Sequence, residues 1–232
     1  LAATTYLPGN QRLSRLVRKY DNFHISVGIS GTLIEQARRF HPSLLKSFQD
    51  LADTGRETGR IEFVGETYYH SLAGLFEDRN KGEFRDQIRM HREAMKELLG
   101  VEPTVFRNTE LLFNNTIADI AADCGYKAII CEKRDDMVAG KTPDTVFFDR
   151  HGKIKIVPRN GDLSNQLLAC LQSPAFEAEE FAAWVGKIVG EMTLVGTTYE
   201  ALGSVGGRNA RGLEFWDQFP QAIARRPNVI FN

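Results

Sequence analysis

Apolar segments of strand length alternate with amphipathic helical segments along the chain, and this alternation constrains the fold most strongly. Segments rich in β-branched and aromatic residues predict strands at 23–29, 61–64, 104–106, 127–131, 192–197 and 228–231. Helical periodicity predicts helices at 1–20, 33–40, 42–51, 83–99, 116–124, 177–189 and 213–224. One predicted hairpin, 145–148 with 153–157, interrupts the alternation. Since βαβ units cross over with a right hand, the sequence predicts an α/β fold wound into a parallel barrel.

The length and composition are those of one globular domain covering residues 1–232. The chain has 232 residues, 42% of them hydrophobic and 25% charged, with a net charge of −1. A balanced charge offers no attraction to nucleic acid or to an anionic membrane, so neither is predicted as a partner. The chain begins Leu1-Ala2-Ala3 without an initiator Met, which suggests a processed or incomplete chain.

The cysteines and the hydropathy indicate a cytoplasmic protein. The three cysteines, Cys124, Cys131 and Cys170, are far apart, odd in number and without metal-ligand spacing, which favours reduced thiols. No apolar run is long enough to span a bilayer, and the sequence shows no secretory signal.

Polar residues follow the predicted strand 104–106, where a parallel strand would reach its carboxyl end. Arg107, Asn108 and Glu110 lie in this stretch. In α/β barrels the reactive side chains project from that end of the strands. An acid flanked by donors is typical of a glycosidase nucleophile, because the carboxylate must stay ionised. The alternative is a surface Glu at the start of the following helix.

A second polar cluster follows the predicted strand 61–64. It contains Glu66, Tyr68, Tyr69 and His70. Tyrosine rings can stack on sugars and a histidine can hydrogen-bond a hydroxyl, whereas the alternative is that both tyrosines pack under a loop. Glu66 is a second candidate acid. His91 has charged sequence neighbours and is predicted to be solvated.

The sequence resembles glycoside hydrolase family 57, in its α-amylase-like branch. The stretch Phe106-Arg107-Asn108-Thr109-Glu110-Leu111 resembles the nucleophile region of that family, and Tyr68-Tyr69-His70-Ser71-Leu72 matches another of its segments. The resemblance implies a (β/α)7 barrel and an α-glucan or maltooligosaccharide as partner. It also implies Glu110 as nucleophile. The residues expected to bind substrate are Glu66, Tyr68, His70, Arg107, Asn108 and Thr198.

Three family features are absent from the sequence. The family places an acid/base Asp before a Tyr-Glu pair, and here Thr198 precedes Tyr199-Glu200. A threonine hydroxyl has no accessible pKa for protonating a glycosidic oxygen. The histidines that follow in the family are replaced by Ser204, Val205 and Gly206. The opening His-Gln-Pro motif has no counterpart, so the chain is expected to lack the first strand of the barrel.

These departures leave several functions open. The protein could be a retaining enzyme similar to α-amylases and 4-α-glucanotransferases, with Glu200 as the substitute acid, since two residues along a strand return to the face of Thr198. It could instead be an inactive glucan-binding or scaffold protein. A polysaccharide deacetylase ranks below both, because the five histidines (24, 41, 70, 91 and 151) contain no close pair for a metal. No metal or other cofactor is expected.

Overall fold

A computed structural model describes residues 1–77, 81–138, 140–172, 177–202, 210–226 and 229. A π-helical turn, Ala2–Tyr6, precedes the first helix. The helices are α1 (Leu7–Lys19), α2 (Gly31–Phe40), α3 (Pro42–Thr58), α4 (Gly82–Leu99), α5 (Asn115–Asp123), α6 (Asp135–Val138), α7 (Gly161–Gln172), α8 (Ala178–Val185) and α9 (Ala210–Ala224). The strands are β1 (Ile25–Gly28), β2 (Ile61–Val64), β3 (Val105–Arg107), β4 (Ala128–Glu132), β5 (Phe147–Phe148) and β6 (Lys155–Arg159). Short 3-10 turns cover Ala73–Leu75, Thr109–Leu111 and Tyr199–Leu202.

The strands form a parallel array in the order β1-β2-β3-β4-β6. β1 pairs with β2, and β4 pairs with both β3 and β6. A single parallel bridge between Gly65 and Phe106 joins β2 to β3, and another between Arg159 and Leu194 extends the array beyond β6. The short β5 is antiparallel to β6 and forms the predicted hairpin. The α/β fold and the parallel barrel arrangement predicted from the sequence are confirmed.

Helix α4 illustrates why the helices pack on this array. Its apolar residues recur at helical spacing, so Phe84, Ile88, Met95 and Leu99 all lie inward and are buried. Gly100 ends the helix in a left-handed conformation, φ 66°, which a glycine adopts without steric cost. This exit leads the chain directly into β3.

In the C-terminal third of the chain, two elements of the structure differ from the prediction. The segment 192–197 was expected to be a strand, but only Leu194 forms a bridge. The amide of Met192, the first residue of this segment, donates instead to the carbonyl of Asp144, as does the amide of Glu191 just before it. The helix expected over 177–189 ends at Val185. The predicted strand 228–231 lies outside the described residues, apart from Val229.

Among the described residues, no helix combines the length and the hydropathy that crossing a membrane would require.

Candidate active site

The loops that follow β2 and β3 lie side by side at the carboxyl end of the parallel array. The amide of Gly65 donates to the carbonyl of Val105 at 2.8 Å, and the amide of Arg107 donates to the carbonyl of Gly65 at 2.8 Å. These hydrogen bonds fix the polar residues of both loops relative to each other. Ser26, by contrast, pairs with Glu62 inside the strands.

Glu66 is a buried carboxylate paired with Arg107. It is 1% exposed, and its Oε1 accepts from Arg107 Nε at 3.1 Å and from Nη2 at 2.6 Å. Gly28 leaves room for this carboxylate, since a Cβ at that position would lie 2.5 Å from Glu66 Oε1. Burial alone would raise the pKa of Glu66, but His70 and Arg107 together outweigh it and hold the pKa below its usual value. Glu66 is therefore an ionised residue within the protein.

His70 connects this buried pair to Glu110. Its Nδ1 lies 3.7 Å from Glu66 Oε2, an ion-pair distance, and its Nε2 lies 3.3 Å from Glu110 Oε1. The interaction with Glu66 raises the pKa of His70 most, the one with Glu110 adds to it, and partial burial opposes both. The side chains thus form a chain of contacts, Arg107–Glu66–His70–Glu110, whose charges alternate when His70 is protonated and which we call the charge relay.

The backbone at the rim of the site is held in an uncommon conformation. His70, Glu110 and Leu111 have φ values of 51°, 53° and 56°, in the left-handed region that residues other than glycine rarely adopt. The hydroxyls of Thr67 and Thr109, 3.0 Å apart, tie the two loops together beneath them. The result is a Glu110 carboxylate that is 73% exposed at the end of the array.

Asn108 lies beneath this turn rather than at its surface. It is 2% exposed, and its Nδ2 donates to the carbonyl of Leu112 at 3.0 Å. Its Oδ1 is buried and has no hydrogen-bond partner among the described residues. The sequence places Asn108 among the substrate-binding residues, and the structure gives it a role in holding the Glu110 turn.

The two tyrosines of the second cluster have different surroundings. The Tyr68 ring packs so closely on Gly31 that a Cβ there would lie 2.3 Å from Cδ2, and its hydroxyl donates to Glu35 Oε2 at 3.4 Å. Burial, and next the charge of Glu35, raise the pKa of Tyr68. Tyr69 is 51% exposed, with its ring edge-to-face against Tyr68. The loop-packing alternative therefore describes Tyr68 better than Tyr69.

Thr198 follows Leu194, which bridges to Arg159 at the carboxyl end of β6. The amide of Asn160 donates to the carbonyl of Leu194 at 2.9 Å, and the amide of Gly196 donates to Ser164 Oγ at 3.1 Å, which holds this segment against β6. Thr198 itself is exposed. Within the described part of the chain, no hydrogen bond joins it to the charge relay.

Glu200 does not lie on a strand, so the two-residue alternation expected from the sequence is wrong. It belongs to the 3-10 turn Tyr199–Leu202 and is exposed. Its charge contributes, after burial, to the raised pKa of Tyr6 near the N-terminus. The residues Ser204, Val205 and Gly206 lie outside the described residues.

His91 is buried, and the prediction that it is solvated is wrong. It is 0% exposed, because it falls on the inward stripe of α4 together with Phe84, Ile88 and Met95. Its Nε2 lies 2.9 Å from the carbonyl oxygen of Ile29, and its Nδ1 accepts from the amide of Glu66 at 3.3 Å. The helical spacing of position 91 indicates burial, whereas its charged sequence neighbours suggest exposure to solvent.

In the described ranges, no group of three or more His, Cys, Asp or Glu side chains is placed to hold a metal ion.

A comparison with models of known protein families identifies the family. The sequence model of glycosyl hydrolase family 57 matches residues 1–231. A Methanocaldococcus jannaschii protein named "Putative alpha-amylase" is 34% identical, over 99% of this chain and 48% of the relative. This chain therefore spans about half the length of that curated relative.

Solved structures share the fold. The 4-α-glucanotransferase of Thermococcus litoralis has a TM-score of 0.76 at 16% identity, over 99% of this chain and 35% of that chain. The family 57-type branching enzyme of Pyrococcus horikoshii has a TM-score of 0.73 at 12% identity, over 97% of this chain and 62% of that chain.

Proposed function

Because this chain belongs to glycosyl hydrolase family 57, we propose that it acts on α-glucans with Glu110 as a nucleophile and without an efficient acid catalyst. The observation that carries the proposal is the contact between His70 Nε2 and Glu110 Oε1, 3.3 Å apart, at the carboxyl end of the parallel array. A hydrogen-bonding imidazole at that distance orients a carboxylate oxygen, and a carboxylate is the group that attacks an anomeric carbon. The exposed position of Glu110 leaves it accessible to a glucan chain.

The proposed reaction proceeds through a glycosyl-enzyme intermediate. A Glu110 oxygen forms a bond to the anomeric carbon as the bond to the leaving-group oxygen breaks. Retaining enzymes place a second carboxyl group about 5 Å away to protonate that oxygen. Thr198 stands at the position where the family has this acid, and its hydroxyl is too weak an acid to protonate that oxygen near neutral pH. General acid catalysis contributes roughly 10²–10⁴-fold, so turnover of starch is expected to be slow by that factor.

An activated substrate tests the proposal, because a good leaving group needs no protonation. We expect an aryl α-maltoside with an acidic phenol to be turned over, and starch to be turned over slowly or not at all. Glu110→Gln should abolish the aryl activity. Thr198→Asp should raise starch activity by restoring an acid. Glu97→Gln, on the exposed face of α4, is the matched control and should change neither rate. Starch hydrolysis that persists in Glu110→Gln would identify a different nucleophile.

The configuration of the product formed with azide shows whether the acid/base or the nucleophile is missing. Azide is a nucleophile that needs no base, so it should accelerate release of the glycosyl-enzyme and give a glycosyl azide of retained α-configuration. In Glu110→Gly, azide would attack the substrate directly from the opposite face and give the β-azide. An α-azide from the unmodified protein and a β-azide from Glu110→Gly together assign the two roles. A β-azide from the unmodified protein would contradict Glu110 as nucleophile.

Glucan binding without catalysis is the second candidate function. It is favoured by the position of Glu200, the available substitute acid, on an exposed turn beside Tyr6 rather than on a strand with Thr198. Calorimetry with maltooligosaccharides would then give binding that weakens on His70→Ala or Tyr68→Ala, with no turnover of the aryl substrate. Absence of both binding and turnover would favour a scaffold role.

A further inference from the structure

We propose that His91 is a positioning residue of this site, which from α4 ties the end of β1 to the end of β2 and so sets the place from which Glu66 reaches Arg107 and His70. The inference deepens the proposed function, since the site that it positions is the one assigned to the α-glucan reaction. His91 itself does not contact the exposed Glu110 carboxylate. It acts through the backbone of Glu66.

The hydrogen bonds of His91 define its tautomer. The carbonyl of Ile29 can only accept, so Nε2 carries the proton and donates across 2.9 Å. The amide of Glu66 can only donate, so Nδ1 is the unprotonated nitrogen and accepts across 3.3 Å. Only the neutral imidazole with the proton on Nε2 satisfies both partners. Burial, the largest influence, lowers the pKa of His91 and so favours this neutral form.

The two backbone groups that hydrogen-bond to His91 lie at the strand ends and have few alternative partners. Ile29 is 2% exposed and Glu66 is 1% exposed, so water cannot readily replace His91 at either backbone group. The ladder between β1 and β2 ends at Gly28 and Val64. His91 therefore bridges the ends of the two strands just where their own pairing stops.

The side chain of Glu66 depends on this bridge because its oxygens reach partners on two other segments. Oε1 accepts from Arg107 on β3, and Oε2 faces His70 in the following loop. The carboxylate also lies against Gly28, with no space for a Cβ between them. A displacement of the Glu66 backbone would lengthen the contact with His70, which at 3.7 Å is already the longest of the charge relay. The pKa of His70 thus reports the position of Glu66 without any glucan present.

Nuclear magnetic resonance of the unmodified protein gives the first test. The ¹⁵N shifts of His91 at pH 7 should show a neutral ring with the proton on Nε2. A protonated ring, or a proton on Nδ1, would overturn the proposal because the amide of Glu66 would then lack its acceptor. This measurement needs no variant and no substrate, so it stands apart from the question of whether Glu110 is the nucleophile.

Substitutions at His91 give the second test, read as the pKa of His70. A glutamine amide offers one donor and one acceptor on a single carbon, like the neutral imidazole, so His91→Gln should keep the pKa of His70 elevated. His91→Leu fills the space without either hydrogen bond and should move the pKa of His70 towards its ordinary value of 6.5. Met95→Ala, buried one turn along α4, is the control for a loss of core packing alone. It should lower the melting temperature and leave the pKa of His70 unchanged.

The outcomes separate a positioning role from a packing role. If His91→Leu lowers the melting temperature as Met95→Ala does but leaves the pKa of His70 elevated, His91 is only a core residue and the proposal is overturned. If His91→Leu does not fold, His91→Gln decides. An elevated His70 pKa in that variant supports the proposal, and a fall to the ordinary value overturns it.

Discussion

At the scale of single residues, the site is organised around a carboxylate that the protein buries and keeps ionised. Glu66 is stabilised by Arg107, whose side chain is 35% exposed, and by His70. Breaking a buried pair by removing one partner costs roughly 3–5 kcal/mol, because the remaining charge has no compensation. The partial exposure of Arg107 places the present pair at the lower end of that range, since water screens part of the interaction.

Arg107→Met should therefore destabilise the protein by about 3 kcal/mol at pH 7, measured by urea unfolding. The double variant Glu66→Gln/Arg107→Met removes the uncompensated charge and should recover part of that loss. If Arg107→Met unfolded at the same urea concentration as the unmodified protein, Glu66 would not depend on Arg107 for its charge.

The two histidines of the site should affect stability at opposite ends of the pH range. The folded pKa of His70 is raised, so its contribution is full below 6.5 and is lost as pH rises from 6.5 through that raised pKa. The folded pKa of His91 is lowered, so its contribution is full above 6.5 and is lost as pH falls from 6.5 through that lowered pKa. Glu66, whose pKa lies below 4.5, loses its contribution only at lower pH.

Melting temperatures between pH 4.5 and pH 9 would check both signs. His70→Gln should flatten the decline above pH 6.5, and His91→Gln should flatten the decline below it, because a glutamine does not titrate. The charges that act on His91 from neighbouring elements are Glu66 and Arg107, and both remain in these variants. A decline below pH 6.5 that is as steep in His91→Gln as in the unmodified protein would assign it to another group.

The backbone of Glu110 stores strain that a glycine would release. A left-handed conformation costs about 1–2 kcal/mol for a residue with a Cβ. A glycine also raises the conformational entropy of the unfolded chain, which offsets part of the stability gained by removing the Cβ. We expect Glu110→Gly to be more stable than Glu110→Ala by about 0.5–1 kcal/mol, measured by urea unfolding. At Glu97, within α4, the order should reverse by about 1 kcal/mol, since glycine disfavours a helix. The same order at both positions would mean that Glu110 is not strained.

At the scale of elements, the end of β1 is shaped to admit the Glu66 carboxylate. A Cβ on Gly28 would lie 2.5 Å from Glu66 Oε1 and 3.3 Å from Arg107 Nε. Gly28→Ala should therefore displace Glu66 and destabilise the protein by about 1–3 kcal/mol, as overpacking of a core does. The pKa of His70, followed by NMR, should fall in this variant. Gly9→Ala, where a Cβ would meet Leu202 at an ordinary 3.4 Å, is the matched control and should leave the pKa of His70 unchanged.

The sequence was most informative where a strand or helix is defined by apolar residues. The predicted strand 61–64 agrees residue for residue with β2. The predicted helix 83–99 starts one residue after the observed start of α4 and ends at the same residue. Both rest on local periodicity, which a single sequence contains. In the predicted strand 192–197 only Leu194 forms a bridge, and the amide of Met192 donates to Asp144, a partner far away in sequence that local periodicity does not reveal.

The arrangement within the site could be predicted only in part. The positions of Glu66, His70, Arg107 and Glu110 at strand ends follow from where apolar residues give way to polar ones. Their pairing as a charge relay does not, because it depends on the register of β2 against β3 and on the space left by Gly28. The prediction for His91 is wrong because its sequence neighbours are charged, although its own position on α4 is an inward one.

At the scale of the whole molecule, the parallel array brings segments that are far apart in sequence to one end. The loops after β2 and β3 and the segment after Leu194 all leave the array at their carboxyl ends. A two-group reaction requires the proposed nucleophile and its partner group to meet at one such end. The 4-α-glucanotransferase of Thermococcus litoralis and the branching enzyme of Pyrococcus horikoshii share this fold.

Covalent labelling of Glu110 tests the central claim most directly. In a 5-fluoro-α-glucosyl fluoride, fluoride leaves without protonation as a Glu110 oxygen bonds to the anomeric carbon, so the absence of an acid at Thr198 does not impede the step. The ring fluorine slows release of the intermediate, and the absence of a base at Thr198 slows it further. Mass spectrometry of the digested protein should therefore show one glucosyl adduct on the peptide containing Glu110, lost in Glu110→Gln and retained in Glu97→Gln. An adduct on Glu66 or Glu200, or release of fluoride with no adduct on Glu110, would contradict the account.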